Sequence, residues 1–204
     1  MSEQPLVPAD RRALDDLAVF VARARRADPE GAARLVAEAG VLAVWVSPLH
    51  GAGLPTVLGL RAVALAEPVA LDTTVALAAV AERLARGTQA LPVPPVQVLT
   101  ASWAGVQPPR GGWTPLPALS AGALRSSARD GAALVAAGSC PAQVWREPLP
   151  GAVGEAGGTT ALAQAGDVLG FLVGDEAVSA ARSGPWVRLS TARGHVLARP
   201  PLLG

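Results

Sequence analysis

The chain has no lysine, isoleucine, asparagine or tyrosine, and all seventeen basic residues are arginine. The four missing types use A/T-rich codons, whereas the abundant alanine, glycine, proline and arginine use G/C-rich ones. That bias indicates a high-GC bacterial genome. Each absence also removes a chemistry. Without lysine there is no Schiff-base nucleophile, no pyridoxal-phosphate enzyme and no phosphate loop ending in Gly-Lys-Ser/Thr. The single cysteine, Cys140, excludes an intrachain disulfide, Cys-x-x-Cys redox chemistry and cysteine-rich zinc sites. With only His50 and His195, a three-histidine zinc site cannot form, and the helical His-Glu-x-x-His pattern is absent. Neither Gly-x-Ser-x-Gly nor Gly-x-Gly-x-x-Gly occurs. No metal and no cofactor is expected.

Charge is scarce as well. Charged residues make up 16% of the chain, against about 25% in an average soluble domain. Seventeen basic and sixteen acidic side chains leave a net +1, so neither nucleic acid nor an anionic membrane is an expected partner. The stretch 41–60, uncharged apart from His50, is the one to weigh as a membrane span. Pro48, Gly51, Gly53, Pro55 and Gly59 break it as a helix. Met1–Gln4 puts no positive charge ahead of an apolar run, so no signal peptide is expected. With one thiol, the cytoplasm is the expected compartment.

Half of the residues are hydrophobic in a chain of 204. That length corresponds to roughly 1.4 domains at about 150 residues each, and such a chain buries on the order of 70% of its unfolded surface. We expect one domain over 1–204; the alternative is two, 1–90 and 96–204, joined by the Pro-rich stretch Leu91–Pro95.

Apolar spacing predicts an amphipathic helix from Pro8 to about Ala27, with Leu14, Leu17, Ala18 and Val21 inward and pairs Arg11–Asp15 and Arg12–Asp16 outward. A short helix is predicted over 29–39, stopped by Gly40. Strands follow at 41–47 and 56–66, the two forming a hairpin over 41–66 with turn chemistry at 48–53. Asp72-Thr73 reads as the N-cap of a helix reaching Arg86, and Val96–Ala101 as a strand. Trp103 to Trp113 reads as a loop. Ser120 caps a helix to about Ala137 with Leu124, Ala128, Leu134 and Val135 inward, and Pro141–Glu147 adds a turn. The Gly-rich segment 151–159 is the expected mobile region, before a helix over 160–172. The clearest β signal is last: three short runs at 177–182, 186–191 and 195–199, separated by Gly-containing turns, predict a meander over 177–199. There is no internal repeat and no sustained βαβ alternation. The expected fold is α+β, a mainly antiparallel sheet covered by amphipathic helices.

Strand alternation gives the meander two faces. Val187, Leu189, Val196 and Ala198 share one; Trp186, Arg188, Ser190, His195, Leu197 and Arg199 share the other. An Arg–Trp–His surface on a rigid sheet binds an anion or stacks a flat ring; the plainer reading is an ordinary sheet face on which arginine stems cover Trp186. A second candidate is the loop of Trp103, Arg110 and Trp113, which would line a small-molecule pocket or simply pin the loop through its two indoles. His50 in its turn, Cys140 at a helix start, the Asp175-Glu176 pair and Gly157–Thr160 at a helix start each have a duller structural explanation. No residue is assigned a catalytic role. The leading functional expectation is a protein acting by association with itself, as a homo-oligomer, or with another protein, because so apolar a chain favours a covered surface. The rival is a protein or enzyme taking a small anionic or aromatic ligand at Trp103, Arg110, Trp113, Trp186, Arg188 and His195.

Overall fold

A computed structural model of the chain describes residues 5–201. Met1–Gln4, the segment behind the signal-peptide expectation, lies outside the described residues. Helices and strands are both abundant, and every strand pair of defined register is antiparallel, so the fold is α+β. No helix among the described residues is long and apolar enough to cross a membrane. The backbone resolves into two compact units. One holds the chain to Ser47 together with Leu60–Val106; the other holds Pro48–Gly59 and the chain from Gln107 onward.

The first unit contains α1 (Arg12–Ala27), β1 (Ala32–Glu38), β2 (Val41–Val46), the later part of β3 (Thr56–Ala64), β4 (Leu71–Ala76) and α2 (Leu77–Ala85), with strand order β4-β1-β2-β3. The helical spacing of α1 buries Leu14, Leu17, Phe20, Val21 and Ala24, and it packs against α2, which buries Leu77 and Val80. Full burial of Leu17 or Val21 contributes about 1.5–3 kcal/mol each. On the outer side of α1, Asp16 pairs with Arg61 of β3 at 2.6 Å rather than with Arg12.

Two helix expectations fail here for one physical reason. Within 29–39 the chain forms the strand β1 in place of a helix: Ala33, Leu35 and Ala37 are buried at period two, and β2 and β4 pair with both edges. The run Ala-Ala-Arg-Leu-Val-Ala-Glu has high helix propensity, but tertiary pairing overrides it. Gly40, read as a helix stop, instead closes a two-residue hairpin with Ala39; their φ angles are 78° and 50°, as a primed turn requires. Likewise Asp72-Thr73 is no N-cap. Thr73, Thr74 and Val75 lie in β4, and the helix begins only at Leu77. Arg34 holds β4 in register, its Nε donating to Asp72 Oδ1 at 2.8 Å and its Nη2 to Oδ2 at 2.7 Å. Val96–Ala101 is not a strand of its own; Gln97 makes a single bridge to Val75, and the Val98 N–H donates to the Thr74 carbonyl. Leu91, at the head of the Pro-rich stretch, is buried and exchanges two backbone hydrogen bonds with Leu6.

The second unit contains β5 (Thr114–Ser120), α3 (Ala121–Ala136), α4 (Pro141–Val144), α5 (Gly151–Glu155), α6 (Thr160–Val168), β6 (Ala177–Ser183), β7 (Trp186–Thr191) and β8 (Gly194–Arg199), with strand order β5-β6-β7-β8. The C-terminal meander forms as expected. β5 was hidden in the sequence by Pro115 and Pro117; it lies at the end of the strand order, where a residue without an N–H is tolerated. Ser120 caps α3, its Oγ accepting from the Ala123 N–H at 3.2 Å and donating to the Asp175 carboxylate. Along α3 the inward residues are Ala121, Leu124, Ala128 and Gly131, whereas Leu134, expected inside, is 52% exposed. Gly131 is required by contact: a Cβ there would stand 2.6 Å from the ring of buried Trp145. α6 packs on α3 and β8. It stops at Val168, four residues short of expectation, because Gly170 (φ 73°) adopts a left-handed cap with Phe171 N–H on the Gly166 carbonyl. The Gly-rich segment expected to be mobile folds into α5 and buries Val153.

The two units share a plan that no sequence repeat announces. In each, three sequential strands form a meander, and a fourth strand pairs antiparallel with the first of them. The fourth strand follows the meander in the first unit and precedes it in the second.

Candidate functional site

In β6, β7 and β8 alternate side chains point to opposite faces, and the register decides which groups meet. Val187 lies opposite Ala198 and Leu189 opposite Val196; with Val178 and Ala180 they form a buried apolar face. On the other face Arg188 lies opposite Leu197 and Ser190 opposite His195. Arg199, two residues beyond Leu197, is therefore the diagonal neighbour of Arg188, at a spacing of about 7–8 Å between Cα atoms. The β5–β6 register, with Thr114 opposite Arg182, continues to place Trp113 level with Ser183 and so on this same face.

Both arginines stack on indoles. The Arg188 Cζ lies 4.3 Å from the centroid of Trp113, and the Arg199 Cζ lies 5.5 Å from that of Trp186. Trp113 is held from behind, its Nε1 donating to the Pro109 carbonyl at 3.2 Å. Trp186 is buried, while Arg188, Arg199, Ser190, His195 and Trp113 are half-buried. His195 Nδ1 and Ser190 Oγ are 2.9 Å apart.

The electrostatics of this face are one-sided. On this face β7 and β8 carry Arg188, His195 and Arg199, and the three meander strands carry no Asp or Glu; Arg182, opposite Val187, lies on the other face. Elsewhere Arg34, Arg61, Arg86 and Arg193 each pair with a carboxylate. Among the described residues Arg188 and Arg199 pair with none, and the Nε of each is buried without a hydrogen-bond partner. Burial pushes the Arg188 pKa down from the ordinary guanidinium value, but so strong a base stays charged at neutral pH. Burial, and secondarily the Arg188 charge, hold His195 below the usual imidazole range, so at neutral pH its ring is uncharged. An unsatisfied buried donor costs about 1–3 kcal/mol. A group supplying several acceptor oxygens would offset that cost at both arginines at once, and the guanidinium fork matches a carboxylate, phosphate or sulfate edge.

The remaining sequence candidates divide. Trp113, Trp186, Arg188 and His195 come together, and Ser190 and Arg199 complete the set. Arg110 is exposed in the loop before Trp113, and Trp103 belongs to the first unit, in the 3-10 turn Ser102–Gly105. His50 is exposed, and Cys140 is an exposed free thiol at the N-cap of α4. Asp175 and Glu176 lie at a turn, where Asp175 accepts from Ser120 and Glu176 meets Arg193 at 3.5 Å. Thr160 at the start of α6 donates to the Val144 carbonyl at 2.6 Å. Among the described residues no His, Cys, Asp and Glu cluster could hold a metal ion.

No curated protein and no solved structure matches the chain. Residues 108–203 match the family model described as "Domain of unknown function (DUF8185)". Residues 1–105, half of the chain, match the model described as "Domain of unknown function (DUF8010)", and the chain belongs to that family.

Proposed function

We propose that the protein binds a small anionic ligand on the Trp113–Arg188–Arg199–His195 face of the second unit. One observation carries the reading: two guanidinium groups at diagonal positions, each on an indole, each with a buried unpartnered Nε, and no carboxylate between them. Like charges so placed repel unless an anion lies between them. We place this activity in the cytoplasm of a high-GC bacterium, on the strength of the single thiol and the biased composition. Tryptophan fluorescence titration with sodium sulfate tests it, since two of the five tryptophans belong to the site. A saturable change that is lost in Arg188→Met is the expected result. No saturable change, or the same change in Arg188→Met, would overturn the reading.

A second reading, association with another copy of the chain or another protein, is favoured by Val96 and Leu99 of the first unit, 74% and 89% exposed. Sedimentation velocity across the micromolar range tests that, and a strict monomer throughout would remove it.

A further inference from the structure

Resting on the anion-binding reading, the inference here concerns how that site is regulated. We propose that the site takes up a proton with its ligand: His195 becomes charged when an oxyanion occupies the Arg188–Arg199 face. The groups are placed for it. His195 stands on β8 on the same face as both arginines, opposite Ser190 and two residues from Leu197, the residue opposite Arg188. Its ring bonds to Ser190 through Nδ1, and no partner of the other ring nitrogen is present among the described residues.

The charged groups around it are few. β7 brings Arg188 and β8 carries Arg199; Arg193, in the turn before β8, is paired with Glu176. α6, which packs on β8, has Asp167 as its one titratable residue, and Thr56–Gly59 of the same unit has none. With the face empty, Arg188 and burial both disfavour a charged ring. An oxyanion held by Arg188 opposes the first of these effects, because its negative charge offsets the guanidinium charge felt at the ring. By linkage, whatever the anion does for the proton, the proton does equally for the anion.

The test is calorimetric titration of the full chain with sodium sulfate, a dianion at both pH 8 and pH 5, at constant ionic strength. The expected result is a lower Kd at pH 5 than at pH 8, by up to about tenfold, the limit that one unit of pKa coupling sets. His195→Gln keeps a hydrogen-bonding partner for Ser190 but cannot charge, so whatever its affinity, its sulfate Kd should be the same at pH 5 as at pH 8. With only two histidines in the chain, proton NMR of the imidazole signals, assigned with His50→Gln, gives an independent readout: saturating sulfate should raise the His195 midpoint by the same unit. Sulfate binding of equal strength at both pH values, or a pH dependence that survives in His195→Gln, overturns the proton coupling and leaves the anion site standing. Absence of sulfate binding at either pH overturns both.

Discussion

Replacing Arg188 by methionine should make the protein more stable, which is the opposite of what removing a structural arginine does. Methionine keeps an unbranched apolar stem against Trp113 and gains a sulfur–aromatic contact of about 0.3–1.5 kcal/mol. The loss is the cation–π interaction, about 0.5–2 kcal/mol. Against that, the variant relieves the buried unpartnered Nε, about 1–3 kcal/mol. It also removes repulsion from Arg199. That repulsion is weakened by solvent and salt and acts in the same direction as the relief at Nε. The sulfur contact and the relieved Nε together outweigh the lost cation–π interaction, and a net stabilisation of about 1 kcal/mol is a conservative sum. For a chain of this size that raises Tm by about 2–4 °C. Thermal denaturation followed by circular dichroism, in a buffer free of sulfate and phosphate, measures it. Adding sulfate should then raise the wild-type Tm and leave that of the variant unchanged, as binding to the native state requires. If Arg188→Met lowers Tm by more than about 2 °C, Arg188 is a strap holding Trp113, and the reasoning from its missing partner is refuted.

Two further outcomes follow from local geometry. Ser120→Ala removes both the N-cap of α3 and the bond to Asp175; it should cost about 1 kcal/mol, read as a lower urea midpoint at unchanged slope, and an unchanged midpoint would remove the cap from the account. His195 is held below its ordinary pKa by burial and then by Arg188, so the unfolded chain binds the extra proton more readily than the folded one. Without ligand, stability should therefore be full above about pH 6.5 and decline as the pH falls through the lower folded value, and urea titrations of His195→Gln should lack that part of the decline.

Much of the architecture could be read from local pattern. α1 announces itself through Leu14, Leu17 and Val21, and the meander through period-two alternation between Gly184 and Gly194 turns. The division of the meander into an apolar face and a face of Trp186, Arg188 and His195 was legible for the same reason, because adjacent strands joined by tight turns leave little freedom of register. β1 and β4 were not legible. Their residues satisfy a helix pattern as well as a strand pattern, and what selects the strand is the pairing between them, through Arg34 opposite Thr74 and Leu35 opposite Thr73. β5 was obscured because two prolines disqualify an interior strand but not an edge.

Alternation, turn conformation and the list of impossible chemistries are properties of neighbouring residues, or of residue types that are simply not there, so they survive without any knowledge of the fold. Whether an arginine has a carboxylate beside it is different in kind. Arg34 finds Asp72 across a strand pair, whereas Arg188 finds Trp113 and no acid, and nothing in either local sequence distinguishes them. That difference arises when distant strands are brought into register, since Coulomb and hydrogen-bond energies depend on separation in space and are indifferent to separation along the chain.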